Sequence, residues 1–151
     1  MSAMGSCECG AVNYTLTGNA DVYACHCLNC QTRTGSAFAE HAMIHVSQFE
    51  CRGATVAYER SVGGVASKEV FCRTCHTRIF NMTSALPELI ILCAGTMAGS
   101  QPLEPVAHIW AKRKQAWLSL PEGVPVFDES PTPEQFRVVL QAAQKRRSGE
   151  S

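Results

Sequence analysis

Seven cysteines stand in three short groups: Cys7-Glu8-Cys9, Cys25-His26-Cys27-Leu28-Asn29-Cys30 and Cys72-Arg73-Thr74-Cys75. Thiolates at such spacings are soft donors for a tetrahedral cation, zinc by default. Side chains alternate faces along an extended segment. Cys7 and Cys9 are therefore expected to face one way, as are Cys25 and Cys27, with Glu8 and His26 pointing opposite. The Cys72-x-x-Cys75 knuckle presents two thiolates to one ion. Two bidentate halves predict a closed site of Cys7, Cys9, Cys72 and Cys75. Four thiolates leave zinc no open position, so this site would be structural and would couple metal binding to folding. Cys25, Cys27 and Cys30 converge on a second ion, whose fourth position falls to water, substrate or another side chain. An open position is what a catalytic zinc requires. Two Zn2+ ions per chain are expected.

Other readings of the same residues stay open. The fourth donor beside Cys25, Cys27 and Cys30 has five histidine candidates: His26, His41, His45, His76 and His108. Taken singly, each is more often a surface or satisfied core residue. Cys27 and Cys30 also form a C-x-x-C pair that could cycle through a disulfide, although no βαβ frame surrounds it. Disulfides elsewhere are disfavoured by the odd total of nine cysteines and by opening residues that lack a secretory pattern. The expected location is the cytoplasm, where thiols stay reduced. Thr34-Gly35-Ser36 either offers N–H groups and a hydroxyl near the middle cysteines or forms an ordinary turn. Cys93, in an apolar run, reads as a buried small hydrophobe, and neither it nor Cys51 is given a role. Asn81-Met82-Thr83 has the form of a glycosylation acceptor, which matters only in a secreted chain.

Short strands must carry these groups. Ala11–Thr17, Val22–Cys27, Ala37–Val46, Ala54–Glu59, Lys68–Cys72, Arg78–Met82, Leu89–Ala94 and Val106–Trp110 are rich in β-branched, aromatic or alternating residues. Gly18-Asn19, Gly63-Gly64, Pro87-Glu88 and Gly99–Pro102 read as turns. A short helix is expected at Leu28–Thr34. After Thr132, a proline at the first helical position and Gln135 complete a capping box. Phe136, Val139, Leu140 and Ala143 then make one apolar stripe of a helix over about 132–147, ending before Gly149. The predicted fold is mainly β, an antiparallel sheet or sandwich with a C-terminal helix. With 151 residues, the whole span 1–151 is expected to be a single domain, its core at about 5–118.

Composition excludes some partners. Hydrophobic content is 46% and charged content 17%, a globular balance. Thirteen basic residues match thirteen acidic ones, so no net charge favours nucleic acid. Lys145-Arg146-Arg147 fits the end of a helix, where cations complement the dipole. No apolar run reaches the ~20 residues of a membrane helix.

Together these residues resemble the glutathione-dependent formaldehyde-activating enzyme (GFA) family, which also includes centromere protein V. The matching pieces are Gly5-Ser6-Cys7-Glu8-Cys9-Gly10, Cys25-His26-Cys27-Leu28-Asn29-Cys30 with Gly35-Ser36, Phe71-Cys72-Arg73-Thr74-Cys75, Pro105-Val106-Ala107-His108-Ile109-Trp110, and Trp117. The resemblance implies a β-tent fold with a structural zinc on Cys7, Cys9, Cys72 and Cys75 and a catalytic zinc on Cys25, Cys27 and Cys30. It implies a carbon–sulfur lyase that joins a glutathione-like thiol to a formaldehyde-like aldehyde, reversibly. His76 departs from the family's pattern, which has glycine after the last cysteine. A knuckle favours a left-handed backbone there, which histidine adopts at some cost. The competing readings are a non-catalytic zinc interaction module and a thiol redox or metal-buffering protein.

Overall fold

Asn13-Tyr14-Thr15-Leu16-Thr17 alternates polar and apolar residues, and the strand it forms buries Tyr14 and Leu16 while exposing the other three. The computed structural model describes residues 2–98 and 103–149, so the turn expected at Gly99–Pro102 lies outside the described residues. In chain order the elements are β1 (Ser2–Ser6), β2 (Asn13–Thr17), β3 (Val22–Cys25), α1 (Leu28–Thr34), β4 (Ala39–His45), β5 (Phe49–Arg52), β6 (Thr55–Val62), β7 (Val65–Cys72), β8 (Arg78–Thr83), β9 (Leu89–Cys93), β10 (His108–Ile109) and α2 (Pro133–Ser148). The fold is mainly β with one long C-terminal helix. It comprises two compact units, one of Met1–Ala20 with Ala42–Pro102, the other of Asp21–His41 with Leu103–Ser151.

In the first unit, β1, β2 and β5 form an antiparallel sheet, and β9, β8, β7 and β6 form an antiparallel ladder in that order. Tyr14, Leu16, Ile79 and Leu92 lie fully buried here. The Phe49 ring bridges Tyr14 and Phe80, with centroids 5.1 Å from each. Gly5 lies opposite Tyr14, and a Cβ there would stand 2.2 Å from the tyrosine ring. Only glycine admits that approach, which lets Tyr14 Oη reach Thr96 Oγ1 at 2.8 Å. Glu69 is buried between Arg60 at 3.0 Å and Arg78 at 3.6 Å, a charge compensated from both neighbouring strands.

In the second unit, all four residues of β3 are buried. β3 pairs with β10 in parallel, Ala24 opposite His108 and Cys25 opposite Ile109. That pairing departs from the all-antiparallel expectation: the long excursion between the two strands brings β10 back in the same direction. α2 begins at the expected capping box of Thr132 and Gln135, and its C-cap Gly149 is left-handed. Its buried face is Phe136, Val139 and Ala143, and Phe136 meets the Tyr23 ring edge-on at 5.4 Å. Arg147 in its last turn pairs with Asp21.

The turns at Gly18, Gly63-Gly64 and Pro87-Glu88 and the short helix at Leu28–Thr34 stand where the sequence places them. β1 and β5 were not expected. Ser2–Ser6 has little strand propensity of its own, and it is extended because β2 supplies its hydrogen-bonding partner. Among the described residues no helix is long and apolar enough to cross a membrane.

Candidate metal centres

The first unit brings Cys7, Cys9, Cys72 and Cys75 together, with all four sulfurs within 4.8 Å of one another. Cys7 and Cys9 do not sit on an extended strand, as alternation predicted. β1 ends at Ser6, and Cys7–Gly10 is a tight turn closed by a 3.1 Å bond from Gly10 N to Cys7 O. Gly10, at φ +76°, supplies the left-handed residue. Turn curvature, rather than pleat alternation, puts the two sulfurs 3.6 Å apart. The knuckle is as expected. Cys72 ends β7, His76 N donates to Cys72 O at 3.0 Å, and Cys72 N donates to Thr77 O at 2.9 Å. His76 adopts φ +60°, the left-handed conformation anticipated at that position. Glu8 N donates to Thr77 Oγ1 at 3.3 Å and stitches the two turns together.

Zinc bonded to sulfur at about 2.3 Å in a tetrahedron holds its sulfurs roughly 3.8 Å apart. The Cys9–Cys72 separation is 3.8 Å and the Cys7–Cys9 separation 3.6 Å. Proton affinities fit the same donor set. The Thr77 hydroxyl, with the Cys9 and Thr77 N–H groups, pulls Cys75 down to about 5. Cys9 accepts from Ala11 N–H, yet Cys75 and Cys7 beside it push it up to about 12. Packed sulfurs cannot all ionise without a cation among them.

The second unit brings Cys25, Cys27 and Cys30 together, again with sulfurs within 4.8 Å of one another. Cys25 is the last residue of β3, and Cys27 is the N-cap of α1. The Cys27 sulfur accepts from Cys30 N at 3.4 Å. Cys25 and Cys30 are buried, whereas Cys27 is half-exposed. Contacts with Cys25 and Cys30, joined by the N–H groups of Cys30 and Asn29, push Cys27 down to about 2. Cys27 in turn holds Cys25 up at about 11, and both neighbours raise Cys30. Of the three, Cys27 is the one whose surroundings favour the charged form, and it is also the most exposed. Among the described residues no other histidine, cysteine or carboxylate completes this group.

The histidine candidates separate clearly. His26 joins neither sulfur group and is fully buried, with Nε2 3.0 Å from His108 Nδ1. Burial, then His108 and Lys114, lowers His26 to about 4, and burial lowers His108, so both rings are neutral near pH 7. Their bond and that from His26 N to Ile109 O at 3.0 Å seat the Cys25–Cys27 corner on β10. The buried His41 brings Nε2 to 3.6 Å from Cys30 Sγ. His45 caps the short turn after β4 through Ser47 N. His76 is exposed and belongs to neither cysteine group. Thr34-Gly35-Ser36 is an ordinary helix end: Gly35 is the left-handed C-cap, and Thr34 Oγ1 donates to Cys30 O at 2.8 Å. Cys51 and Cys93 are half-buried and outside both groups.

One residue of consequence had no motif to announce it. Gln31 Nε2 donates to both His26 O and Arg113 O at 2.8 Å, fastening α1 to the corner just before it and to a segment 82 positions away. A lone glutamine in a short helix carries no spacing signal.

The comparisons with known proteins follow this geometry. A family model described as glutathione-dependent formaldehyde-activating enzyme (GFA) matches residues 2–113. Among solved structures, the crystal structure of a Rhodobacter sphaeroides protein is similar. It is 28% identical, aligns over 66% of this chain and 91% of its own, and has a TM-score of 0.53. No curated protein matches the sequence. With the match spanning most of its length and both cysteine groups assembled, the chain belongs to the glutathione-dependent formaldehyde-activating enzyme family.

Proposed function

We propose that the protein is a zinc-dependent carbon–sulfur lyase that forms or cleaves the adduct of a small thiol and an aldehyde, with glutathione and formaldehyde as the type substrates. Cys7, Cys9, Cys72 and Cys75 would hold a structural zinc, and Cys25, Cys27 and Cys30 a catalytic one. The observation that carries this reading is the three-sulfur group with a half-exposed member and no fourth ligand among the described residues. Held by Cys25, Cys27 and Cys30, a zinc ion would supply Lewis acidity, favouring the thiolate form of an incoming thiol and polarising an aldehyde oxygen.

The chain's own residues set up that chemistry. Cys27 sits where contacts with the Cys25 and Cys30 thiols, joined by the N–H groups of Cys30 and Asn29, favour its charged form. Cys25 and Cys30, buried, fix the other two corners. The neutral His26–His108 pair holds the corner from behind without adding charge. Gln31 fixes the backbone oxygen of His26 and so keeps Cys25 and Cys27 in register.

The test is metal content with turnover. Two zinc ions per chain are expected, one removed readily by a chelator, with S-hydroxymethylglutathione formed from glutathione and formaldehyde by the replete protein. One tightly held zinc together with an oxidised Cys27–Cys30 pair would end this reading.

A second reading rests on His41. Its Nε2 lies 3.6 Å from Cys30 Sγ, and a small shift would make it a fourth ligand. The site would then be closed and the protein a non-catalytic zinc module. His41→Ala separates the two: zinc affinity at the second site falls sharply only if His41 is a ligand.

A further inference from the structure

Trp110, directly after β10, holds the left-handed conformation with φ +57° and ψ +34°. A bulky side chain rarely does so, because its Cβ crowds the following carbonyl oxygen. Such strain persists only where the surroundings over-determine it. Here they do. Trp110 N donates to Glu129 O at 3.2 Å, and its indole Nε1 donates to Ser130 Oγ at 3.0 Å. Lys112 Nζ lies 5.1 Å from the indole centroid and pairs with Glu129. Ala111 N donates to Phe127 O at 3.0 Å.

Both arms of this corner reach the three-cysteine group. Before Trp110, Ile109 stands opposite Cys25, and its carbonyl accepts from His26 N at 3.0 Å. After Trp110, a single 3-10 turn spans Ala111–Arg113, and Arg113 N donates back to Trp110 O at 3.0 Å. The Arg113 carbonyl accepts from Gln31 Nε2, whose other bond goes to His26 O, each at 2.8 Å. The two donor hydrogens of that amide are thereby both used.

The backbone of His26, between Cys25 and Cys27, is therefore clasped from both sides. Ile109 O takes its N–H, and Arg113 O holds its carbonyl through Gln31. Trp110 lies between the two clasping carbonyls. An extended residue there would carry the chain on along β10, and the turn that offers Arg113 O to Gln31 would not form in that place.

We propose that Trp110 is a positioning residue for the three-cysteine group. Its left-handed backbone sets the Ile109 and Arg113 carbonyls where they clasp His26, and so holds Cys25 and Cys27 at the spacing one ion requires. This rests on the reading of that group as a metal site, given above. It adds a strained corner outside the ligand set that tunes the affinity of the second ion and leaves the first alone.

The test is competition for zinc by a chromophoric chelator on the zinc-replete full chain, followed by replacement of the readily removed ion with Co2+, whose visible bands report ligand geometry. Trp110→Val and Trp110→Asn both remove the indole, but valine resists the left-handed backbone and asparagine accepts it. Trp110→Val should weaken the second zinc about tenfold and shift the cobalt bands, as loss of a support behind a ligand does. Trp110→Asn should stay within about threefold of wild type. Gln31→Leu cuts the clasp without touching the corner and should match the valine variant, so the proposal stays testable if that variant does not fold. The tightly held zinc should be unchanged in all three.

Equal losses in the valine and asparagine variants, or a second site indifferent to Gln31→Leu, overturn the proposal and leave the metal reading standing. Wild type that holds one zinc only removes both. A second-site loss confined to Trp110→Val and Gln31→Leu, in a chain that turns over no thiol–aldehyde pair, keeps the proposal and removes the lyase reading.

Discussion

The two cysteine groups differ less in their donors than in the length of chain each must close. In the first unit, Cys9 and Cys72 meet across 63 positions of sequence. An ion there would join two turns far apart in sequence, so binding would be coupled to folding. In the second unit, Cys25, Cys27 and Cys30 belong to a single strand-to-helix corner. That corner is already held by the His26–His108 contact and by Gln31. An ion there would close no long loop, so under the proposed function its contribution would be chemical more than structural. The same element of the periodic table is thus expected to staple one unit and to equip the other.

Four substitutions break or sharpen this contrast. The largest effect is expected from Cys72→Ser. It should remove one zinc equivalent and most of the folding free energy, roughly 5–15 kcal/mol for a domain, seen as loss of a cooperative transition by calorimetry. A folded variant with two zinc ions would dissolve the contrast. Cys27→Ser comes next. It should also lose one zinc equivalent, but with the melting temperature within a few degrees of wild type and turnover down on the order of 100-fold or more. Collapse of the fold on this change would mean that the second group is structural too.

Glu69→Ala probes first-unit stability that owes nothing to metal. It leaves Arg60 and Arg78 without their buried counter-charge and should cost about 3 kcal/mol in denaturant unfolding, with both zinc ions retained. The smallest effect is a gain. His76 holds φ +60° at the knuckle, and His76→Gly should stabilise by roughly 1 kcal/mol by relieving that backbone. An unchanged or lowered melting temperature would show that the histidine side chain repays its strain.

Much of the site was legible because cysteines at short spacing carry their meaning locally. The sorting of Cys7, Cys9, Cys72 and Cys75 from Cys25, Cys27 and Cys30 followed from donor counting, and the structure gathers the sulfurs in those same groups. The local geometry was less legible. Alternation placed Cys7 and Cys9 on a strand, whereas Gly10 bends them into a turn that reaches the same end by curvature. The capping box and Gly149 predicted both ends of α2, since caps are read from adjacent residues.

Residue type and spacing alone therefore determined that the chain is mainly β, where its helices fall and which sulfurs could share an ion, while the family resemblance drew attention to position 76 as one a knuckle favours left-handed. Tertiary structure alone decided that Ser2–Ser6 is a strand, that His26 faces His108, that His41 stops 3.6 Å from Cys30, and that Gln31 and Trp117 frame a cleft. The division has a physical cause. Caps, knuckles and turns are settled by neighbours in the chain, whereas strand pairing, histidine partners and cavities depend on segments tens of residues apart, whose meeting no local pattern encodes.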